Sequence, residues 1–235
     1  MSRNKPAPST NSILAALPDS EQKRILAGCD SVDIFFGDVL AEPGEPLQYV
    51  YFPTEGFISL VAKIDGQTRL EVGLVGNEGM LGVTLLLGVN TSPLHALVQG
   101  SGAALRMDAA TFGRELNNSP ALQGLLKRYL YVELEQLAQT AACTHYHVVE
   151  ERLARWLLMT QDRAHSNVFH ITHEFLAFML GVRRVGVTTA AMSLHNRKLI
   201  NYSRGDITIL SRRGLEAASC GCYAADNASY ARIMN

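Results

Sequence analysis

The chain has 235 residues, 47% hydrophobic and 18% charged, with a formal net charge of −1 at pH 7. That balance excludes domain-scale disorder, which needs an apolar-poor, charge-rich chain, and the length suits one large domain or two modest ones. No run approaches the roughly 18 apolar residues of a membrane-spanning helix, and no apolar core follows the basic N-terminus, so neither a membrane partner nor a signal peptide is expected.

Residues 1–12, polar and carrying Pro6 and Pro8, read as a flexible leader. A short helix is expected from Asn11 or Ser12 to Ala27, with Pro18 and Asp19 opening its second half, since proline is tolerated in a first turn. From Val32 to about Met107, short runs rich in Val, Ile, Phe and Tyr alternate with turns. The turns are at Gly37-Asp38, Pro43-Gly44, Glu55-Gly56, Asp65-Gly66, Gly76-Asn77 and Gly100-Ser101, a pattern that predicts a β-sandwich or barrel.

The period then becomes helical. Asp108 suits the N-cap of a short helix through Leu116, and Ser119 caps a longer helix that starts at Pro120. One face of that helix carries Leu126, Leu130, Leu134, Leu137 and Ala141; Leu122, Leu125, Tyr129, Val132 and Gln136 form a second stripe. A helix apolar on two faces packs against its own domain and against something else, and spacing alone leaves open whether that is a partner subunit. Another amphipathic helix runs from Val148 to near Asp162, and Val168 to Ile171 read as a strand.

The segment from Thr172 to Leu199 carries the most specific signal. Thr172 is placed as an N-cap, Glu174 suits the first turn, and Gly181 falls where a helix must stop and turn. A second helix follows with Val187, Ala190, Ala191 and Leu194 inward and Arg183, Arg184, Thr188 and Thr189 outward, and it contains no acid. Arginine can bridge guanine edges or phosphates, and threonine can touch a thymine methyl. A strand, a turn at Arg204-Gly205-Asp206 and an alternating strand then form a wing, with Ser203 and Arg204 at its tip to meet phosphate. Between Arg183 and Arg213 there are seven arginines and lysines against the single acid Asp206, a local phosphate-binding balance on a near-neutral chain.

Thr172 to Ile200 resembles the helix-turn-helix of the cyclic-AMP receptor protein and Fnr family of transcription regulators. Leu40 to Glu45, Tyr49 to Phe52 and Glu55-Gly56 resemble the early strands of its cyclic-nucleotide-binding β-roll, and Gly76 to Gly82 resembles the turn into its effector pocket. The resemblance implies an α+β protein with an effector-like β-roll over residues 13–117, a dimerisation helix and hinge over 118–147, and a winged helix-turn-helix over 148–235. It implies a homodimer pairing through Leu126, Leu130, Leu134, Leu137 and Ala141, an inverted-repeat site on double-stranded DNA, and RNA polymerase as a further candidate partner. The DNA contacts would be Thr172, His173, Arg183, Arg184, Val185, Thr188, Thr189 and Arg204, and the effector pocket would be bordered by Gly76, Glu78, Gly79 and Gly82. A DNA partner and the absence of a leader signal imply a cytoplasmic protein.

Three departures limit what carries over. The family holds a cyclic phosphate with an arginine followed by a small residue, whereas Val83-Thr84-Leu85-Leu86-Leu87-Gly88 has no cation, and a buried phosphate without one costs several kcal/mol. Cyclic AMP is therefore not the expected effector, and a β-roll that binds a different small molecule or nucleotide through other residues stays open as the alternative. The cysteine group of cluster-bearing Fnr proteins is missing, and a lone His95 is a weak basis for haem. In the recognition helix, Arg184, Val185 and Thr189 stand where the family's best-known members have arginine, glutamate and arginine, which predicts a different operator.

No metal or cofactor is expected: Cys220-Gly221-Cys222 has no second pair nearby in sequence, and Cys29 and Cys143 are scattered. His147 with Glu150 or Glu151 could share a helical face, but a solvated hinge is the simpler reading. No nucleophile–base pair or phosphate-cradling glycine loop occurs in a usable context, so catalysis is not expected.

Overall fold

The computed structural model describes residues 10–64, 69–203 and 205–235. The turn expected at Asp65-Gly66, the wing-tip Arg204 and the first nine residues of the expected leader lie outside the described residues.

Pro18 splits the N-terminal helix into α1 (Ser12–Ala15) and α2 (Asp19–Ala27). Asn11 and Ser12 are not leader. The Asn11 side chain caps α1 and donates to the carbonyls of Pro53 (3.1 Å) and Gly79 (2.7 Å), and Asn11 is buried.

The β-rich region forms two antiparallel sheets. One has the order β1 (Asp30–Ile34), β7 (Gly102–Asp108), β3 (Tyr49–Pro53); the other β2 (Val39–Ala41), β6 (His95–Gly100), β4 (Phe57–Lys63), β5 (Arg69–Val75). Val50 and Phe52 on β3 turn inward to a core shared with Phe112, Leu122 and Leu126. At Gly56, φ is +74° and an added Cβ would strike the Gly100 carbonyl, so only glycine fits there.

The caps form as the sequence predicts. Asp108 accepts from Thr111 N (2.9 Å) at the start of α3 (Ala109–Asn118), and Ser119 accepts from Leu122 N (3.0 Å) at the start of α4 (Pro120–Tyr146). One correction concerns α4. Leu126 is fully buried in the β-roll core, so the five-residue stripe is not one continuous outer face; Leu134, Leu137 and Ala141 remain exposed, and Leu130 is partly buried.

After α5 (Val149–Ala164) come β8 (Val168–His170), α6 (His173–Leu180), α7 (Arg184–Asn196), β9 (Ile200–Ser203), β10 (Asp206–Ile209) and α8 (Arg212–Ala218). β10 pairs with both β8 and β9. Leu153, Leu157, Leu176, Val187, Leu194 and Ile207 form the centre of this unit.

The last helix, α9 (Cys222–Met234), leaves that unit and returns along α4; Met234 packs on the β-roll core and Tyr230 Oη donates to Glu78 O (2.8 Å). The C-terminal segment therefore belongs to the joint between the domains, which the 148–235 division did not anticipate. The same joint holds buried Glu71, whose carboxylate accepts from Ser59 Oγ (2.5 Å), Gln99 Nε2 (3.2 Å) and Trp156 Nε1 of α5 (2.7 Å). No single helix among the described residues is long and apolar enough to cross a membrane.

Candidate nucleic-acid interface

Helices α6 and α7 cross at 108° through a turn containing Gly181, within the range of helix-turn-helix units. Thr172 Oγ1 accepts from Phe175 N (3.1 Å), and Gly181 ends α6 at φ +62°. A Cβ there would sit 3.0 Å from Leu70 Cδ1 of the β-roll. Gly181→Ala is accordingly expected to lose about 1–2 kcal/mol from the left-handed backbone alone, read as a lower denaturant midpoint.

α7 buries Val187, Ala190, Ala191 and Leu194, the positions its sequence spacing predicts, and leaves Arg184, Val185, Thr189 and Met192 in solvent. Its N-cap, Arg183, makes no side-chain capping bond, so the first turn of α7 has amide donors and a positive dipole end to offer an anion. Val185, 69% exposed, is an unsupported apolar side chain in water but a ready contact for a thymine methyl. Met192 and His195 extend the same face, and sequence reasoning passed over both. The signal was available: each lies three or four residues beyond an outward position.

Two predicted contacts take different roles. Burial, then the nearby Arg184 charge, push His173 below its ordinary range, so the ring is neutral. Thr188 Oγ1 spends its proton on the Arg184 carbonyl (3.1 Å), so His173 Nδ1–H must be the donor in the 3.1 Å contact to Thr188 Oγ1. His173 also stacks on Tyr202 of the wing, centroids 4.1 Å apart. It is a strut between α6, α7 and wing rather than a free DNA contact. Thr189 likewise donates to Val185 O (3.0 Å), which leaves its methyl and lone pairs, not its proton, facing outward.

The basic balance is smaller than the residue count suggests. Arg197 is paired with Glu150 (2.7 Å), and Arg212 with Asp162 (2.7 Å) and Glu216 (3.0 Å). Arg183, Arg184, Lys198 and Arg213 form no ion pair among the described residues. With Glu150 engaged by Arg197 and His147 turned towards Cys222 (3.4 Å), the His–Glu pairing considered at the hinge does not form.

Of the four residues expected at an effector pocket, only Gly82 borders the main cavity of the β-roll. That cavity, about 160 Å³, lies between β4, β5 and α4 and is lined chiefly by Leu60, Leu74, Leu81, Leu130, Leu134 and Leu137. It has no arginine or lysine in its lining. Residues 83–87 form a 3-10 turn between Gly82 (φ +101°) and Gly88 (φ +73°). Glu78 instead pairs with Arg163 of α5 (2.7 Å), the Gly76 amide donates to Glu78 Oε1 (3.2 Å), and Gly79 gives way to the Tyr129 hydroxyl. His95 is buried with Nδ1 3.0 Å from Glu42, which also pairs with Lys63 (2.7 Å), so its ring has a partner without haem.

A sheet-built sensor-like domain, a long connecting helix and a winged helix-turn-helix with an acid-free outer helix together define a transcription-regulator architecture. Residues 151–218 match the Crp-like helix-turn-helix domain. The chain is 26% identical over 176 residues to the global nitrogen regulator of Nostoc sp., covering 71% of this chain and 79% of that one. Its fold is that of a Crp/Fnr-family transcriptional regulator from Eubacterium rectale (TM-score 0.69, 16% identity, 88% of this chain and 96% of that one). FixK2 from Bradyrhizobium japonicum is similar (TM-score 0.67, 16% identity, 82% and 98%). Residues 151–218 thus carry a Crp-like helix-turn-helix domain, and the chain as a whole shares the fold of Crp/Fnr-type regulators.

Proposed function

We propose that this protein is a homodimeric, sequence-specific transcription regulator that reads an inverted repeat of double-stranded DNA through α7, in the cytoplasm. The observation that carries this reading is the outer face of α7, where Arg184, Val185 and Thr189 stand exposed on a helix whose other side is locked into the domain core. Arg184 reads guanine, Val185 and the Thr189 methyl contact thymine, and Arg183, the α7 amides, Lys198 and Arg204 hold phosphate. Exposed Leu134, Leu137 and Ala141 supply the dimer contact.

The β-roll is not a cyclic-AMP sensor in this reading, because a cyclic phosphate in a leucine-lined cavity would lack a counter-charge. The cavity favours a compact apolar effector as a second element of the function. Leu134 and Leu137 serve both the cavity rim and the exposed stripe, so a partner helix would complete its wall. In fluorescence anisotropy on a selected operator, Arg184→Ala should lose about 1–3 kcal/mol and relax preference at one base pair. Lys198→Ala should weaken all sequences alike and flatten the salt dependence. Addition of cyclic AMP should change neither. Equal, sequence-blind losses from both variants would reduce Arg184 to a phosphate clamp, and a requirement for cyclic AMP would overturn the reading of the cavity.

A further inference from the structure

The turn between α8 and α9 brings Cys220 and Cys222 to the end of α4, where Cys143 lies in the last turn and His147, the C-cap, bonds its backbone N–H to the Cys143 carbonyl. One donor atom from each of the four lies within 4.8 Å of all the others. Two of the edges have the size of a filled coordination tetrahedron. Cys143 Sγ and Cys220 Sγ are 3.6 Å apart, and Cys222 Sγ and His147 Nδ1 are 3.4 Å apart. With Zn–S of about 2.3 Å and Zn–N of about 2.0–2.1 Å, tetrahedral angles require about 3.8 Å and about 3.6 Å.

We propose that Cys143, His147, Cys220 and Cys222 form a tetrahedral site for a single zinc ion, which staples the C-terminal helix to the end of α4 at the joint between the β-roll and the DNA-binding domain.

The surroundings are those of an anionic metal centre. Three thiolates and one divalent cation leave a net charge of −1, and two buried arginines of α5, Arg152 and Arg155, stand beside it. Arg155 pairs with Asp226 of α9 (2.7 Å) and donates to Thr140 (3.2 Å), while its buried Nε has no hydrogen-bond partner among the described residues. Gln139 Nε2 donates to Cys222 Sγ (2.9 Å), the kind of outer contact that orients a ligand. Cys222 is the first residue of α9, where the helix dipole favours a thiolate. A crevice of about 40 Å³ bordered by Thr140, Cys143 and Arg155 reaches one side of the cluster at Cys143.

The competing explanations fit less of this. Three reduced cysteines can pack as small apolar residues, but an imidazole nitrogen aimed at one of them and an arginine placed beside them do not belong to an apolar patch. A Cys143–Cys220 disulfide would leave His147 and Cys222 without a role. An iron–sulfur cluster, with several metals between its cysteines, needs wider ligand spacing than these four offer.

The test uses the full-length protein purified with reductant and without chelator, analysed by inductively coupled plasma mass spectrometry. The expected result is one zinc per chain, retained in Cys29→Ser and lost in the double variant Cys220→Ser/Cys222→Ser. Cobalt(II) exchanged into the wild-type protein should give thiolate-to-metal charge transfer and the intense visible bands of a tetrahedral site. His147→Cys should keep the tetrahedral intensity with shifted bands, and His147→Ala should bind cobalt at least tenfold more weakly. The cobalt spectrum of the wild-type protein needs no variant to fold. The proposal fails if the wild-type chain retains no zinc and gives no tetrahedral cobalt spectrum. It fails equally if its zinc survives the double serine change, or if mass spectrometry of the reduced protein finds Cys143 and Cys220 joined.

Discussion

Asp226→Ala is expected to destabilise the protein by about 3 kcal/mol, read as a lower urea midpoint at neutral pH. Asp226 and Arg155 each expose only 8% of their side chains and meet at 2.7 Å. Removing one member of such a pair leaves the other charge buried without its counter-ion, which typically costs 3–5 kcal/mol. The lower end applies because Cys143 also lies against Arg155 and offers it partial compensation. The double change Arg155→Met/Asp226→Leu should recover most of the loss, since two apolar side chains of similar volume carry no desolvation penalty. A double variant as unstable as Asp226→Ala would mean that the arginine itself, through Thr140 or Cys143, is what the joint needs.

Glu71 should make stability fall with rising pH. Burial, opposed by hydrogen bonds from Ser59 and Trp156 among others, pushes its carboxyl up from 4.5 to about 7. Its folded-state value thus lies above the unfolded one, and between about pH 4.5 and pH 7 the native state holds a proton that the unfolded chain has released. The stability this proton confers is fully present below about pH 4.5, declines through that window and is gone above about pH 7. The shift corresponds to on the order of 3 kcal/mol. Glu71→Gln removes the titration and keeps the shape, so the difference in unfolding free energy between variant and wild type should move in the variant's favour by that amount across the window. A difference that stays flat would show that Glu71 is ionised in the native protein at all these pH values.

The parts legible in the sequence are those set by neighbours in the chain. Thr172, Asp108 and Ser119 cap helices three residues away, Gly181 stops a helix because its own backbone must turn left-handed, and the inward positions of α7 follow from a 3.6-residue period. What was not legible depends on contacts between distant segments. An apolar stripe does not say which neighbour buries it, so spacing alone cannot separate Leu126, which fills the β-roll core, from the exposed Leu134 and Leu137. That Gly76, Glu78 and Gly79 stand away from the cavity is not visible in the sequence, because the neighbours of Glu78 and Gly79, Arg163 and Tyr129, come from other elements. Cys220 and Cys222 lacked a second pair until α9 folded back across some 77 residues to Cys143. The wing contributes Tyr202 as a platform for His173, a role no local pattern announces.

Selection from random double-stranded DNA by the full-length protein tests most directly whether a pair of α7 helices reads DNA sequence-specifically. The expected outcome is an inverted repeat whose half-sites lie about 10 base pairs, or a multiple of that, apart centre to centre. Each half-site should carry a guanine whose preference disappears in Arg184→Ala. Recovery of a sequence without a dyad, or no enrichment over the starting pool, would contradict reading by paired α7 helices.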